Sequence, residues 1–296
     1  MTCRAAFVGV LPLLRAIAMM AACALLASCA QQPPVKPLPA REAAAIEANR
    51  RAEASFRNGD FESSAQHYRE ALRIARSLEN ADSIAANAVN LSIAYQRLGK
   101  PAEARASLAP VLEQNILLFP AGRLAQAALR RAILDIDERR YASATEWADQ
   151  AAGYCGQQGC TLLAAINNVK GQLALESGRS DLATANAQAA LQASRDAGNQ
   201  VETANALRLI GNAAIRSGDA KAALAPLGEA LAIDRELALP YKIYLDLVSL
   251  GRASALNGDR DAARTYYERA LAVGEADRDA QGAAAARALI EGLGKK

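Results

Sequence analysis

Aromatic side chains are scarce in this chain: four phenylalanines, eight tyrosines and one tryptophan amount to 4% of 296 residues. A core with so few rings must be closed by small residues, and alanine supplies them. Alanine is the strongest helix former and lets helices approach closely, so the composition predicts an all-α fold. No Asn-Gly or Asp-Gly turn sits between alternating apolar runs, which removes the usual hairpin signal. Charge of one sign is also lacking. The formal net charge is +3, and Arg4 and Arg15 of the extreme N-terminus supply most of it, so nothing favours a nucleic-acid partner. A single histidine, His67, and the absence of G-x-S-x-G, phosphate-loop and H-E-x-x-H patterns leave no catalytic constellation and no cofactor site. Asp135 and Asp137 are close in sequence, but two-residue spacing turns them to different faces of a helix. His67 and Trp147 read as packing or surface residues. The expectation is a protein that is not an enzyme.

What is present begins with an address. Residues 1–28 carry two arginines and no acid, followed by an apolar run from Ile17 to Ala27. That run falls short of the roughly 20 residues that span a bilayer and has the length of a signal-peptide core. It ends in Leu26-Ala27-Ser28-Cys29, which resembles the lipobox of bacterial lipoproteins. The resemblance implies cleavage after Ser28, a diacylglycerol on the Cys29 thiol and a further acyl chain on the new amine. Several acyl chains anchor stably where one would be marginal. Ala30 follows Cys29, where inner-membrane retention is associated with aspartate, so the resemblance implies an outer-membrane anchor facing the periplasm. The alternative is an ordinary secretory signal with a chance cysteine. Residues 29–41 then read as lipidated cysteine plus tether, with Pro33, Pro34, Pro37 and Pro39 in seven residues. Such a stretch favours polyproline II and, at ~3.1 Å per residue, reaches roughly 30 Å from its anchor.

From residue 42 to 275 the chain repeats itself six times. The turns fall at Gly59-Asp60, Gly99-Lys100, Arg139-Arg140, Gly178-Arg179, Gly218-Asp219 and Gly258-Asp259, spaced by 40, 40, 39, 40 and 40 residues. Seven residues before each turn stands Ala52, Ser92, Ala132, Gly171, Gly211 or Gly251. Five residues beyond the first turn position stands Ser64, Ala104, Ala144, Ala183, Ala223 or Ala263. Large residues, Phe61, Tyr68, Tyr95, Tyr141, Leu227 and Tyr267, are expected to fill the gaps between these small ones. One such unit cannot bury its apolar face alone, so neighbours must stack. The pattern resembles the tetratricopeptide repeat in its longer, about forty-residue form. That resemblance implies a right-handed superhelical solenoid of six helix-turn-helix repeats, with residues 276–296 as a capping helix and tail. Repeat three matches least, because Arg139-Arg140 replaces Gly-Asp.

In that family the first helices of the repeats line a ligand groove. Mapped onto this chain, the groove positions are Asn49, Arg50, Asn90, Arg97, Arg130, Asn168, Gln172, Asn205, Arg208, Asn212, Arg216 and Arg252. Asparagine can donate to and accept from a peptide backbone at once, and arginine can hold a carboxylate by two bonds. The ladder therefore points to an extended peptide, and the excess of arginine to an acidic one. The competing reading is that these are ordinary polar residues on the wet face of amphipathic helices. Cys155 and Cys160, separated by a link with two glycines, are expected to form a disulfide in an oxidising compartment; a metal site is not expected. Together these readings describe a membrane-anchored periplasmic adaptor that binds a protein or peptide partner. Its architecture is analogous to lipidated repeat proteins such as pilotins and secretion or envelope-assembly lipoproteins. A self-associating structural lipoprotein and a hydrolase are the alternatives.

Overall fold

The computed structural model describes residues 38–113, 117–156 and 160–294. The signal segment, Cys29 and most of the tether lie outside the described residues. Two units divide the chain, Met1–Ala43 and Ala44–Lys296. Of the first, the described part is the end of the proline-rich stretch and the opening turn of a helix.

Among the described residues there are fourteen helical segments and no strand. They pair along the sequence: α1 (Ala40–Arg57) with α2 (Phe61–Ser77), and α3 (Ala81–Arg97) with the short α4 (Pro101–Ala106) and α5 (Ala109–Leu112). Then come α6 (Ala121–Asp137) with α7 (Tyr141–Cys155), and α8 (Leu163–Glu176) with α9 (Ser180–Asp196). Next are α10 (Gln200–Arg216) with α11 (Ala220–Glu236), and α12 (Pro240–Leu256) with α13 (Arg260–Ala276); α14 (Ala280–Gly294) covers the last pair. Six helix pairs and a terminal helix thus form the solenoid. No described helix is long and apolar enough to cross a membrane.

Local chemistry sets the helix boundaries. Asp60, Asn80, Asn199, Asp219 and Asp259 stand at N-caps, where each side chain accepts a backbone N–H three residues on, at 2.9–3.2 Å. The turn inside each repeat needs one residue in the left-handed region, and glycine takes it at five of the six. In repeat three Arg139 adopts the same conformation, with φ of 59°. The weakest repeat in sequence therefore keeps the geometry of the others, at a backbone cost of roughly 1–2 kcal/mol. Repeat two departs in another way. Its second helix breaks into α4 and α5, because Pro110 lacks the N–H that would continue the ladder.

Small residues explain the register. Gly211 lies against Leu227 and Gly251 against Tyr267; a Cβ at 211 would sit 2.5 Å from Leu227 Cγ. Leu227, Tyr267 and Tyr68 are buried, as are Gly211, Gly251 and Ala52, whereas Phe61, Tyr95 and Tyr141 stay partly exposed. The glycine or alanine seven residues before a turn is the hole, and the large residue of the second helix is the plug. Burying a Leu or aromatic side chain this way contributes about 1.5–3 kcal/mol each.

Candidate functional site: a polar chamber on the concave face

The first helices of repeats two to six, α3, α6, α8, α10 and α12, surround a cavity of about 920 Å³. Its wall includes Asn90, Arg130, Asn168, Gln172, Asn205, Arg208, Asn212 and Arg252. Apolar patches from Leu129, Val169, Leu209 and Val248 separate them. Four other ladder positions stand apart from this wall. Asn49 donates to Glu53 on its own helix, at 2.7 Å, and Arg50 donates to Glu47 by two bonds of 2.8 Å. Arg216 is exposed, and Arg97 is held in a contact described below.

Within the wall the ladder divides into two kinds of residue. Asn90, Gln172, Asn212 and Arg252 face the cavity without a side-chain hydrogen bond to another described residue. Arg208, Asn168 and Arg130 are instead buried and engaged within the protein, so the reading of Arg208 as a solvent-facing groove residue is corrected. Arg208 is 7% exposed and is gripped by Asp246 and Asp234, while its third contact is Asn205 Oδ1 at 3.0 Å. Burial demands such partners, since an unpaired guanidinium away from water is costly. Arg130 donates to Ser92 Oγ at 2.7 Å and to Gln96, all neutral acceptors, and burial pulls its pKa down to about 10. Arg123, on the same wall, is paired with Asp82 at 2.7 and 2.8 Å. Of the wall arginines, Arg123 and Arg208 are thus paired with carboxylates, while Arg130 rests on neutral acceptors.

The chamber floor is a network that the ladder did not foresee. Lys242 Nζ donates to Asn205 Oδ1 at 2.9 Å, and burial lowers its pKa to about 8. Asn168 Nδ2 donates to Glu202 Oε2 at 2.8 Å and to the Glu202 carbonyl at 3.1 Å. That leaves Asn168 Oδ1 buried with no hydrogen-bond donor among the described residues. Asp246 sits fully buried beneath Arg208, and burial raises its pKa to about 7 despite the arginine. The signal for this network was present as Asp246 inside the apolar run Tyr244-Leu245-Asp246-Leu247-Val248, where an acid can persist only with a buried partner.

Cys155 and Cys160 are joined, with Cα atoms 5.4 Å apart at the end of α7. Asp135 is buried under Ser143 Oγ at 2.7 Å and Arg140, while Asp137 receives Gln96; the two acids face different neighbours. No group of three or more candidate metal ligands occurs among the described residues.

The tetratricopeptide repeat family model matches residues 42–113 and 162–236. Solved structures share the shape. A Rap protein complexed with competence and sporulation factor gives a TM-score of 0.61 at 16% identity, covering 86% of this chain and 71% of that one. A STAND protein from Pyrococcus horikoshii with a tetratricopeptide repeat sensor gives 0.59 at 13% identity, covering 85% of this chain and 37% of that one. Aspartyl phosphate phosphatase F from Bacillus subtilis gives 0.51 at 13% identity, with coverages of 88% and 71%. At these identities the likeness is one of fold. No curated protein matches the chain. The chain carries tetratricopeptide repeats and folds as a tetratricopeptide-repeat solenoid, an architecture that suggests a protein-interaction scaffold.

Proposed function

We propose that the concave chamber binds an extended peptide, and that the protein acts as an envelope adaptor presenting this chamber from a lipid anchor at Cys29. The observation that carries the binding reading is Asn168. Its amide hydrogens are fixed on Glu202, so its carbonyl oxygen can only be the end that lacks a partner. A buried acceptor without a donor costs about 1–3 kcal/mol, which a ligand N–H would relieve. Asn90, Gln172 and Asn212 line the same wall and offer both donor and acceptor, as a peptide backbone requires. The volume falls within the range of roughly 300–1,000 Å³ typical of compact ligand sites, so a short segment fits and a folded domain does not. The Rap protein of similar fold, complexed with competence and sporulation factor, shows that such a solenoid can hold a partner. The anchor, the outer-membrane address and a role in pilus or secretion assembly rest on the lipobox and on analogy.

The test is selection from a displayed library of random dodecapeptides on the purified protein. Enriched peptides should bind wild type and lose roughly ten-fold or more affinity to Asn168→Ala combined with Asn212→Ala, at 1.4 kcal/mol per decade. Peptides that bind wild type and the double variant equally would move the binding site off the concave face.

A further inference from the structure

In a solenoid each repeat touches its neighbours, and the polar contacts between helices here obey that rule. Arg123 to Asp82, Arg130 to Ser92, Arg195 to Glu229 and Arg208 to Asp246 all span 34–41 residues. One contact does not. Arg97, the last residue of α3, donates through Nη2 to Asp277 Oδ2 at 2.9 Å, across 180 residues. Its guanidinium carbon lies 4.5 Å from the centre of the Phe61 ring and 5.3 Å from that of Tyr241. Phe61 is steadied in turn by Phe56, with ring centres 5.1 Å apart at 65°. Both charged side chains of the pair are 22% exposed, so water screens them only in part. Phe61 and Arg97 belong to repeats one and two; Tyr241 lies in the first turn of α12, and Asp277 caps the end of α13, in repeat six.

We propose that this cluster is a latch: Arg97, sandwiched between Phe61 and Tyr241 and ion-paired to Asp277, ties the second repeat to the sixth and sets how far the chamber opens. Tyr241 immediately precedes Lys242, whose amine lines the chamber, so the latch sits at the chamber's edge. No packed helix pair joins α3 to α12 or α13 among the described residues, and side chains alone make the bridge. A bridge of that kind is reversible. Ring faces and a carboxylate hold a guanidinium strongly enough to favour closure, while α3 and α12 keep their own neighbours when it lets go. Arginine suits the position because its flat cation can stack on two rings and still donate in plane.

The amine of Lys242 is a native reporter of access. The full-length protein is exposed briefly to a bulky amine-reactive ester, and peptide mass spectrometry reads labelling at Lys242, with exposed Lys221 as reference. The charges acting on Lys242 include Arg208, Glu202, Asp234, Asp246 and Asp137 but not Arg97, so removing Arg97 does not retune the amine directly. Arg97→Ala and Asp277→Ala should raise the Lys242 rate roughly ten-fold relative to Lys221, the shift that ~1.4 kcal/mol of lost closure produces. Arg97→Lys, which keeps the charge and loses the flat stacking cation, should fall between wild type and Arg97→Ala, and 1 M salt should raise the rate in wild type but not in Arg97→Ala. Helicity by circular dichroism confirms that the variants are folded. An unchanged Lys242 rate in folded Arg97→Ala overturns the latch. If that variant does not fold, a wild-type rate insensitive to salt overturns it instead.

Discussion

Gly251 lies so close to Tyr267 that a Cβ at position 251 would fall within the ring's own contact distance. The contact joins α12 to α13 and repeats, with Leu227, at Gly211. Gly251→Ala should therefore overpack the pair and cost about 1–3 kcal/mol, and Gly251→Ala with Tyr267→Leu should recover part of it. Urea unfolding midpoints check this; a variant as stable as wild type would mean that the sixth repeat has slack.

Arg208 and Asn212 stand one helical turn apart on α10 and should behave oppositely. Removing the Arg208 side chain leaves Asp234 and Asp246 buried without their cation, a loss of about 3–5 kcal/mol. Removing the Asn212 amide deletes no hydrogen bond within the protein, so stability should stay within about 0.5 kcal/mol. Equal unfolding midpoints for the two alanine variants would contradict the buried network.

Asp246 gives the fold a pH dependence of unusual sign. Burial raises its folded pKa to about 7 from 3.8, so the native state binds more protons than the unfolded chain between those values. Its contribution is present in full below about pH 4 and is lost as pH rises through 7. Stability profiles of wild type and Asp246→Asn should therefore differ most in slope between pH 4 and 7, with the wild type declining more steeply. Parallel profiles would show that Arg208 keeps the carboxylate charged throughout.

Cys155 and Cys160 close a loop that is small, and on the chain-entropy account such a loop stabilises by roughly 2–3 kcal/mol. Replacing both by serine should lower the midpoint by that amount, and adding reductant to wild type should reproduce the effect. No change with reductant would mean that the thiols are not bonded in solution.

Cys29→Ser tests the anchor. Metabolic labelling with a fatty acid should mark the wild type in its producing bacterium and leave the variant unmarked and uncleaved. Normal labelling of the variant would end the lipoprotein reading.

Much of the fold was legible because its rule is local. A turn every forty residues, a small residue seven before it and a larger one after it determine six helix pairs without reference to distant contacts. Pro110 could have been read as the break in repeat two, but the forty-residue register ran through it. The walls of the site were legible as well, since first helices face inward by construction. What each wall residue does was not, because it depends on which carboxylate lies underneath. Arg208 and Arg252 look alike in sequence, yet one is clasped by two acids from the next helices and the other is exposed. The Arg97–Asp277 contact was illegible for a related reason: a repeat pattern encodes neighbours, and this contact depends on the accumulated rotation of all the repeats between.

The break at Pro110 bears on how the molecule comes apart. In a stack, cohesion passes from neighbour to neighbour, so a shortened helix is a weak joint in the series. Helix α1 beyond it buries only Ala48 and Ala52. Amide exchange should accordingly be fastest from residue 44 to 112 and slowest in α8 through α12, making the N-terminal repeats a separately opening unit beside a durable remainder.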